Sequence, residues 1–196
     1  MNLPNKLTIL RIALALVFIL FLFMHGLAAK IAAFVIFLAA SATDVLDGYL
    51  AKKNNQMTDF GRLMDPIADK ILILSAFLAF VEMGLVPAWM VVIIIFREVA
   101  VTGLRILALT KRRVIPADSG GKHKTASQVL VILAILGLLI FREAGPAVSG
   151  FWSPRAEAVY KDSIFILMLI TVVLTLISGV SYLVKNREVY SNAKEG

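Results

Sequence analysis

The feature that most constrains the fold of this chain is a succession of long apolar runs separated by short polar segments. Hydrophobic residues make up 60% of its 196 residues and charged residues only 17%. A soluble domain is about half apolar and about a quarter charged. Because a bilayer core takes about 20 consecutive apolar residues per helix, the runs predict an integral membrane protein with several spanning helices.

Six segments are long and apolar enough to be spans: 9–29, 31–51, 64–84, 87–110, 126–142 and 162–184. Pro4 suits the entry to a short interfacial segment, Asn2 to Lys6. The first run continues through 26–29 without a clear cleavage site, which favours a retained helix over a signal peptide. We therefore expect an all-α polytopic membrane protein with six transmembrane helices plus that N-terminal segment, as a single domain over residues 1–196.

Lys and Arg residues are distributed unevenly between the two sides of these spans, in a chain of formal net charge +7. If the N-terminus is inside the cell, most of them fall in inside segments, and the outside loops hold only Lys30, Arg142, Arg155 and Lys161. The positive-inside rule then predicts a cell-membrane protein with both termini in the cytoplasm. Topology and attraction to anionic headgroups account for the charge, so we expect no nucleic-acid partner.

Four aspartates lie where the second predicted span ends and the third begins, on the side assigned to the cytoplasm. Asp44 and Asp47 are three residues apart and Asp65 and Asp69 are four apart, so each pair shares a helix face. Acids within spans are costly and usually functional. The chain has no cysteine, and carboxylate oxygens suit hard ions such as Mg²⁺, Mn²⁺ or Ca²⁺. Opposed pairs would hold two metals, or one metal and a phosphate substrate; the alternative is a solvated face at the membrane edge.

Small residues flank the aspartates. Gly48, Ala51 and Gly61 leave space beside the carboxylates, where a nucleotide or pyrophosphate can approach the backbone. The alternative is close helix packing, which small residues also provide in membranes.

Together these residues form one continuous pattern, Asp44-Val45-Leu46-Asp47-Gly48-Tyr49-Leu50-Ala51-Lys52, eight residues, then Gly61, Asp65 and Asp69. The pattern resembles the signature of the CDP-alcohol phosphotransferase family, D-x-x-D-G-x-x-A-R, eight residues, G-x-x-x-D-x-x-x-D. Lys52 departs from it, since the family usually has arginine there; lysine keeps the charge and loses the planar fork. The resemblance extends over nearly the whole chain, because family members have about six membrane helices with the motif on the second and third.

The resemblance implies an enzyme that joins an alcohol oxygen to the phosphate of a CDP-linked lipid and releases CMP. By position, Asp44, Asp47 and Asp65 would bind divalent metal, and Asp69 would be both a metal ligand and the general base. The implied cofactor is Mg²⁺ or Mn²⁺, as two ions. A carboxylate beside such ions can accept the proton of the acceptor hydroxyl.

The other positions of the motif are implied to contact CDP: Gly48, Ala51, Lys52 and Gly61. Lys53 is an alternative to Lys52, and a solvated cytoplasmic lysine is an alternative for either.

Further strings resemble the phosphatidylglycerophosphate synthase branch of the family: Phe96-Arg97-Glu98 with Arg105, Gly121-Lys122-x-Lys124-Thr125-x-x-Gln128, and Asn2-Leu3-Pro4-Asn5-x-Leu7-Thr8-x-x-Arg11. Asn5 and Thr8 are candidate nucleotide contacts, with capping or interfacial anchoring as the alternative. The implied reaction takes CDP-diacylglycerol and glycerol 3-phosphate to phosphatidylglycerophosphate and CMP. The resemblance also suggests a homodimer.

Basic residues are candidates for binding the phosphate of the acceptor. Arg97 and Arg105 are eight residues apart on one face of the fourth span. Lys122 and Lys124 follow a glycine turn just before the fifth helix, whose N-terminus suits a phosphate. The alternatives are an ion pair of Arg97 with Glu98, snorkelling of Arg105, and an ordinary positive-inside loop.

Two other functions compete with this one. A sibling enzyme, cardiolipin synthase or phosphatidylinositol phosphate synthase, would also need a basic acceptor pocket. A cation transporter would place its acids near the midplane and on more helices, which the grouping of all four aspartates at one surface disfavours.

Overall fold

The computed structural model describes the backbone of residues 3–54, 59–110, 119–148 and 153–187, and the side chains of 8–43, 70–108, 125–145 and 153–187. These residues form six helices and no strand: α1 (Leu3–Phe23), α2 (Leu27–Asn54), α3 (Asp59–Glu82), α4 (Ala88–Thr110), α5 (Ser119–Val148) and α6 (Pro154–Lys185). The predicted all-α class is confirmed.

Most of the helices are longer than the apolar segments that predict them. The interfacial segment expected over residues 2–6 is, from Leu3 on, the first turn of α1. Within the described residues, Thr125–Gly145 and Pro154–Lys185 are long and apolar enough to cross a membrane, and Thr8–Phe23 and Leu27–Thr43 are shorter apolar stretches. The protein is therefore helical with membrane-type segments, and the number of spans stays a prediction.

Two tight turns reverse the chain, and each uses a glycine with positive φ. Gly26 (97°) lies between α1 and α2, and Gly84 (67°) lies between α3 and α4. Residues with a Cβ seldom adopt this conformation. At the first turn, the Lys30 ammonium donates to the carbonyls of Leu22 at 2.6 Å and Met24 at 2.9 Å. A cation therefore satisfies the carbonyl end of α1, where the helix dipole favours positive charge.

The helices pack around a main apolar core, and a smaller apolar cluster lies between α4 and α6. α1 contacts α2 and α3 extensively, and α5 contacts α2, α3 and α6. α4 packs mainly on α6, while α2 and α3 touch each other over a short stretch. All six helices line the main core with fully buried side chains, including Phe18, Phe37, Phe77, Ile94, Ile135 and Ile164.

Contacts between neighbouring helices fix which ends lie together. The Arg142 Nε on α5 is 3.3 Å from a Glu157 carboxylate oxygen on α6, and its guanidinium carbon lies 5.4 Å from the centre of the Tyr160 ring. The charges of Lys30 on α2 and Glu143 on α5 are also close enough to interact. The start of α2, the end of α5 and the start of α6 thus share one end of the bundle. We call the opposite end, where α1, α3 and α5 begin and α2 ends, the aspartate end.

Candidate functional site

The buried face of α1 changes from apolar to polar as it approaches the aspartate end. Ala15, Phe18 and Leu22 are buried in the core, and Thr8 and Arg11 continue the same line, each 0% exposed. The spacing of three and four residues keeps all five on one helix face. Among the described side chains, Arg11 is the largest that is fully buried.

The contact between two phenylalanines sets the height of α1 against α2. The ring centroids of Phe18 and Phe37 are 5.3 Å apart. Arg11 and Asp44 each lie two turns beyond this pair toward the aspartate end, about 10 Å along their helices. Thr8 and Asp47 each lie about 15 Å beyond it. The polar positions of α1 are therefore at the same depth as the first two aspartates.

The positions of Asp44 and Asp47 continue the buried face of α2, on which Ala33, Phe37 and Ala40 are each 0% exposed. All four aspartates lie in helical backbone, and their side chains are outside the described residues. Backbone register gives the positions of the four aspartates, and the carboxylate cage stays a prediction.

The second pair of aspartates has a matching position on α3. Asp65 and Asp69 continue the line of Leu72, Ala76 and Phe80, which are at most 2% exposed. The link between α2 and α3, residues 55–58, is short. Asp47 lies about 10 Å from the end of α2, and Asp65 lies about 10 Å from the start of α3. Asp44 and Asp69 lie about 15 Å from the same two helix ends. The aspartates thus fall into two matched depths.

A divalent cation fits the chemistry of these positions. Four carboxylates are hard oxygen donors, and a buried cation, Arg11, lies at the same depth, as expected where negative charge is concentrated. Among the described side chains no group of three His, Asp or Glu residues could hold a metal. If bound, the ion would be held by Asp44, Asp47, Asp65 and Asp69, and the metal centre stays a prediction.

The residues predicted to contact CDP lie near the same end of the bundle. Gly48, Ala51 and Lys52 are in the last turns of α2, Gly61 is in the first turn of α3, and Asn5 is in the first turn of α1. Their side chains, like that of Lys53, are outside the described residues. Thr8 is described, and its complete burial disagrees with a purely interfacial anchoring role.

The structure separates the two arginines of α4. Arg97 is 9% exposed; its Nη1 is 3.2 Å from Oε1 of Glu98, and its Nη2 donates to the Ser178 hydroxyl of α6 at 3.0 Å. Its Nε is buried and has no hydrogen-bond partner among the described residues. Arg105, about 12 Å further along the helix, is exposed.

Part of the basic segment that was predicted to precede the fifth helix lies within that helix. α5 begins at Ser119, so Gly120 and Gly121 are in its first turn, and the glycine turn expected before Lys122 is wrong. Glycine is a weak helix former, so local propensity favours a turn here, but the helix includes both residues. Lys122 and Lys124 lie in helical backbone, and their side chains are outside the described residues. Residues 111–118 are outside the described residues altogether.

Sequence reasoning assigned no role to two buried polar residues. One is Arg11; the other is Gln128, which is 2% exposed on the line of Ile132 and Ile135 and whose Nε2 has no hydrogen-bond partner among the described residues. Measured along the helices from Lys30 on α2 and Glu143 on α5, whose charges interact, Asp44 and Gln128 both lie about 22 Å toward the aspartate end. The positions of Arg11 and Gln128 at core spacing within apolar helices were the signal available in the sequence.

A third residue that sequence reasoning missed is Lys70, next to Asp69. Its ammonium donates to the Thr102 hydroxyl of α4. This hydrogen bond joins α3 to α4 near the depth of Asp69.

Known proteins resemble this chain over most of its length. Residues 1–186 match the CDP-alcohol phosphatidyltransferase family model. A protein of Bacillus subtilis named CDP-diacylglycerol–glycerol-3-phosphate 3-phosphatidyltransferase is 42% identical over 69% of this chain and 76% of its own length. A probable phosphatidylglycerophosphate synthase of Mycobacterium tuberculosis is 41% identical over 94% of this chain and 81% of its own.

A Rickettsia bellii protein with the same name as the Bacillus one is 36% identical over 92% of this chain and 93% of its own length. The agreement thus spans all six helices, including the helix ends that carry the four aspartates. The chain belongs to the CDP-alcohol phosphatidyltransferase family and is a membrane-embedded transferase of phospholipid biosynthesis.

Proposed function

We propose that this protein transfers the phosphatidyl group of CDP-diacylglycerol to glycerol 3-phosphate, forming phosphatidylglycerophosphate and releasing CMP. The observation that carries the proposal is the agreement with relatives that bear this activity in their names, at 36–42% identity. A buried polar layer at one end of the bundle, with Thr8 and Arg11 fully buried, supports a site at that end.

The reaction exchanges one phosphate ester partner for another. A hydroxyl oxygen of glycerol 3-phosphate forms a bond to the phosphorus that carries diacylglycerol, and the bond from this phosphorus to the oxygen of CMP breaks. The hydroxyl proton goes to the carboxylate of Asp69, and CMP leaves with the electron pair of the broken bond. A positioned base of this kind contributes about 10²- to 10⁴-fold to a rate.

Asp44, Asp47, Asp65 and Asp69 would hold divalent metal, Mg²⁺ or Mn²⁺, as two ions. Bound there, the metal supplies positive charge that offsets the diphosphate and the developing charge on CMP. Asn5, Thr8, Gly48, Ala51, Lys52 and Gly61 are the proposed CDP contacts. The small residues keep the backbone accessible, and the lipid tails lie in the bilayer beside the helices.

The acceptor phosphate is assigned to Arg97, Arg105, Lys122 and Lys124. Arg97 supports this because two of its nitrogens are held by Glu98 and Ser178, while its buried Nε has no hydrogen-bond partner among the described residues. Such an arrangement leaves a fixed donor for a phosphate oxygen, in a site where the charge is poorly screened by water. We further propose a homodimer, with both termini and the active site on the cytoplasmic side.

The test is CMP release by the purified full chain in detergent with CDP-diacylglycerol. We expect release that requires glycerol 3-phosphate, stops with EDTA and returns with Mg²⁺ or Mn²⁺. A panel of other alcohols, including inositol phosphate and phosphatidylglycerol, separates this activity from that of sibling enzymes. Release with another alcohol but not with glycerol 3-phosphate would overturn the acceptor, and full activity in EDTA would overturn the metal.

A further inference from the structure

Arg11 places a permanent positive charge inside the bundle, and the mechanism above does not use it. Its side chain is 0% exposed, on the face of α1 that continues through Ala15 and Phe18 into the core. α1 packs mainly on α2 and α3, the helices that carry the four aspartates. A guanidinium cannot lose its proton at ordinary pH, so its burial requires compensating negative charge.

The height of Arg11 points to where that negative charge lies. Arg11 and Asp44 are each two turns beyond the Phe18–Phe37 contact, whose centroids are 5.3 Å apart. Positions 11 and 44 are each seven residues, about two turns, from the phenylalanine on the same helix. Residues at this spacing lie on the same face of a helix. Positions 11 and 44 therefore lie at the same depth on the faces of α1 and α2 that meet at the Phe18–Phe37 contact.

We propose that Arg11 is a positioning residue that pairs with Asp44 and acts as the internal counter-charge of the aspartate cluster. The inference rests on the proposed metal-binding role of the four aspartates. Four carboxylates close together repel one another most strongly when no metal is bound. A fixed cation among them lowers this repulsion and holds Asp44 in its place on α2 before metal and CDP-diacylglycerol arrive.

The Arg11–Asp44 pair contributes differently to the stability of the metal-free and the metal-bound protein. Bound metal neutralises the carboxylates, so the contribution of Arg11 is smaller in the metal-bound protein than in the metal-free protein. Replacing Arg11 should therefore destabilise the metal-free protein more, and should increase the stabilisation that metal provides.

The experiment measures thermal unfolding of the full chain in detergent, in EDTA and in Mn²⁺ without substrates. We expect Arg11→Met to lower Tm most in EDTA and to widen the difference between the two conditions by about 3 °C or more, a measurable shift for a protein of this size. Arg11→Lys, which keeps the charge, should show a smaller widening. An unchanged difference between EDTA and Mn²⁺ for Arg11→Met would overturn the counter-charge role.

Lys30→Met is the matched control. Lys30 is also a buried cation, 5% exposed, and it lies on the face of α2 that continues to Asp44. It is at the other end of the bundle, where it donates to carbonyls of α1. Its loss should lower Tm equally in EDTA and in Mn²⁺. If Arg11→Met gives no folded protein, Arg11→Gln replaces it and is judged by the same widening.

A second measurement separates failure of this inference from failure of the metal proposal. In EDTA, Arg11→Met should lower Tm by at most half as much in an Asp44→Asn background as in the wild-type background, because the pair is already broken. Additive Tm losses would contradict the pairing. If Mn²⁺ does not stabilise the wild-type protein, the metal role fails, and this cycle still decides whether Arg11 pairs with Asp44.

Discussion

Arg97 and Ser178 join the fourth and sixth helices through a buried hydrogen bond, with Nη2 of the guanidinium 3.0 Å from the hydroxyl oxygen. The arginine stem lies over Gly179, where an added Cβ would come 2.8 Å from the Arg97 Cγ. The absence of a side chain at position 179 thus lets a buried cation cross between two packed helices. The space for the buried Arg97 side chain is provided by the glycine at position 179.

Gly179→Ala should therefore destabilise the protein by about 1–3 kcal/mol, because overpacking a tight contact forces side chains or backbone to move. The clashing atom belongs to the inner part of the Arg97 side chain, which has little freedom to shift. Thermal unfolding in detergent measures the effect. Gly103→Ala on α4 is the control: a Cβ there has nothing within 4 Å, and its stability should be unchanged or slightly increased. Equal stability of both variants would refute the packing argument.

Arg97→Lys should raise the KM for glycerol 3-phosphate by about tenfold or more while leaving the KM for CDP-diacylglycerol nearly unchanged. One ammonium cannot replace a planar fork that contacts Glu98 and Ser178 and also presents Nε. Steady-state kinetics with each substrate varied in turn gives the comparison. Arg155→Lys, at an exposed position at the start of α6, should change neither KM. A parallel rise in both values for Arg97→Lys would argue against the acceptor site.

Asp69→Asn should keep the fold and CDP-diacylglycerol binding and lower kcat by about 10²- to 10⁴-fold, the range for losing a positioned base. An amide retains the size of the carboxyl group but cannot accept the proton of the attacking hydroxyl. Single-turnover CMP release and a nucleotide-binding assay separate the two effects. Asp162→Asn, exposed on α6 at the opposite end, serves as the control. Near-normal turnover of Asp69→Asn would remove Asp69 from this role.

Lys30→Met should cost about 1–3 kcal/mol, because two carbonyls at the end of α1 lose a charged donor at 2.6 and 2.9 Å. Activity per folded molecule should change little, since Lys30 lies far from the aspartates. The control is Lys161→Met: Lys161 is 66% exposed, and its ion pair with Glu157 spans 3.6 Å. Exposed pairs of this kind contribute about 0–1 kcal/mol, so thermal unfolding should distinguish the two lysines.

The sequence by itself determined the fold class, the family and the grouping of the aspartates. Apolar runs near bilayer length require helices, because the backbone must satisfy its own hydrogen bonds where water is absent. The spacing of Asp44, Asp47, Asp65 and Asp69 is local, so helical periodicity alone predicts that each pair shares a face. The helix limits were less predictable: α5 begins at Ser119 and has Gly120 and Gly121 in its first turn, where the weak helix propensity of glycine favours a turn.

Only the tertiary structure decided which polar residues are buried and what they contact. Arg97 and Ser178 are far apart in the chain, and nothing in the local sequence of either indicates that they meet. Arg11 and Lys30 both resemble charges at the ends of predicted spans, yet one is fully buried and the other binds the carbonyl end of α1. Burial depends on which helices pack together and at what height, and packing is a property of the whole bundle rather than of any single segment.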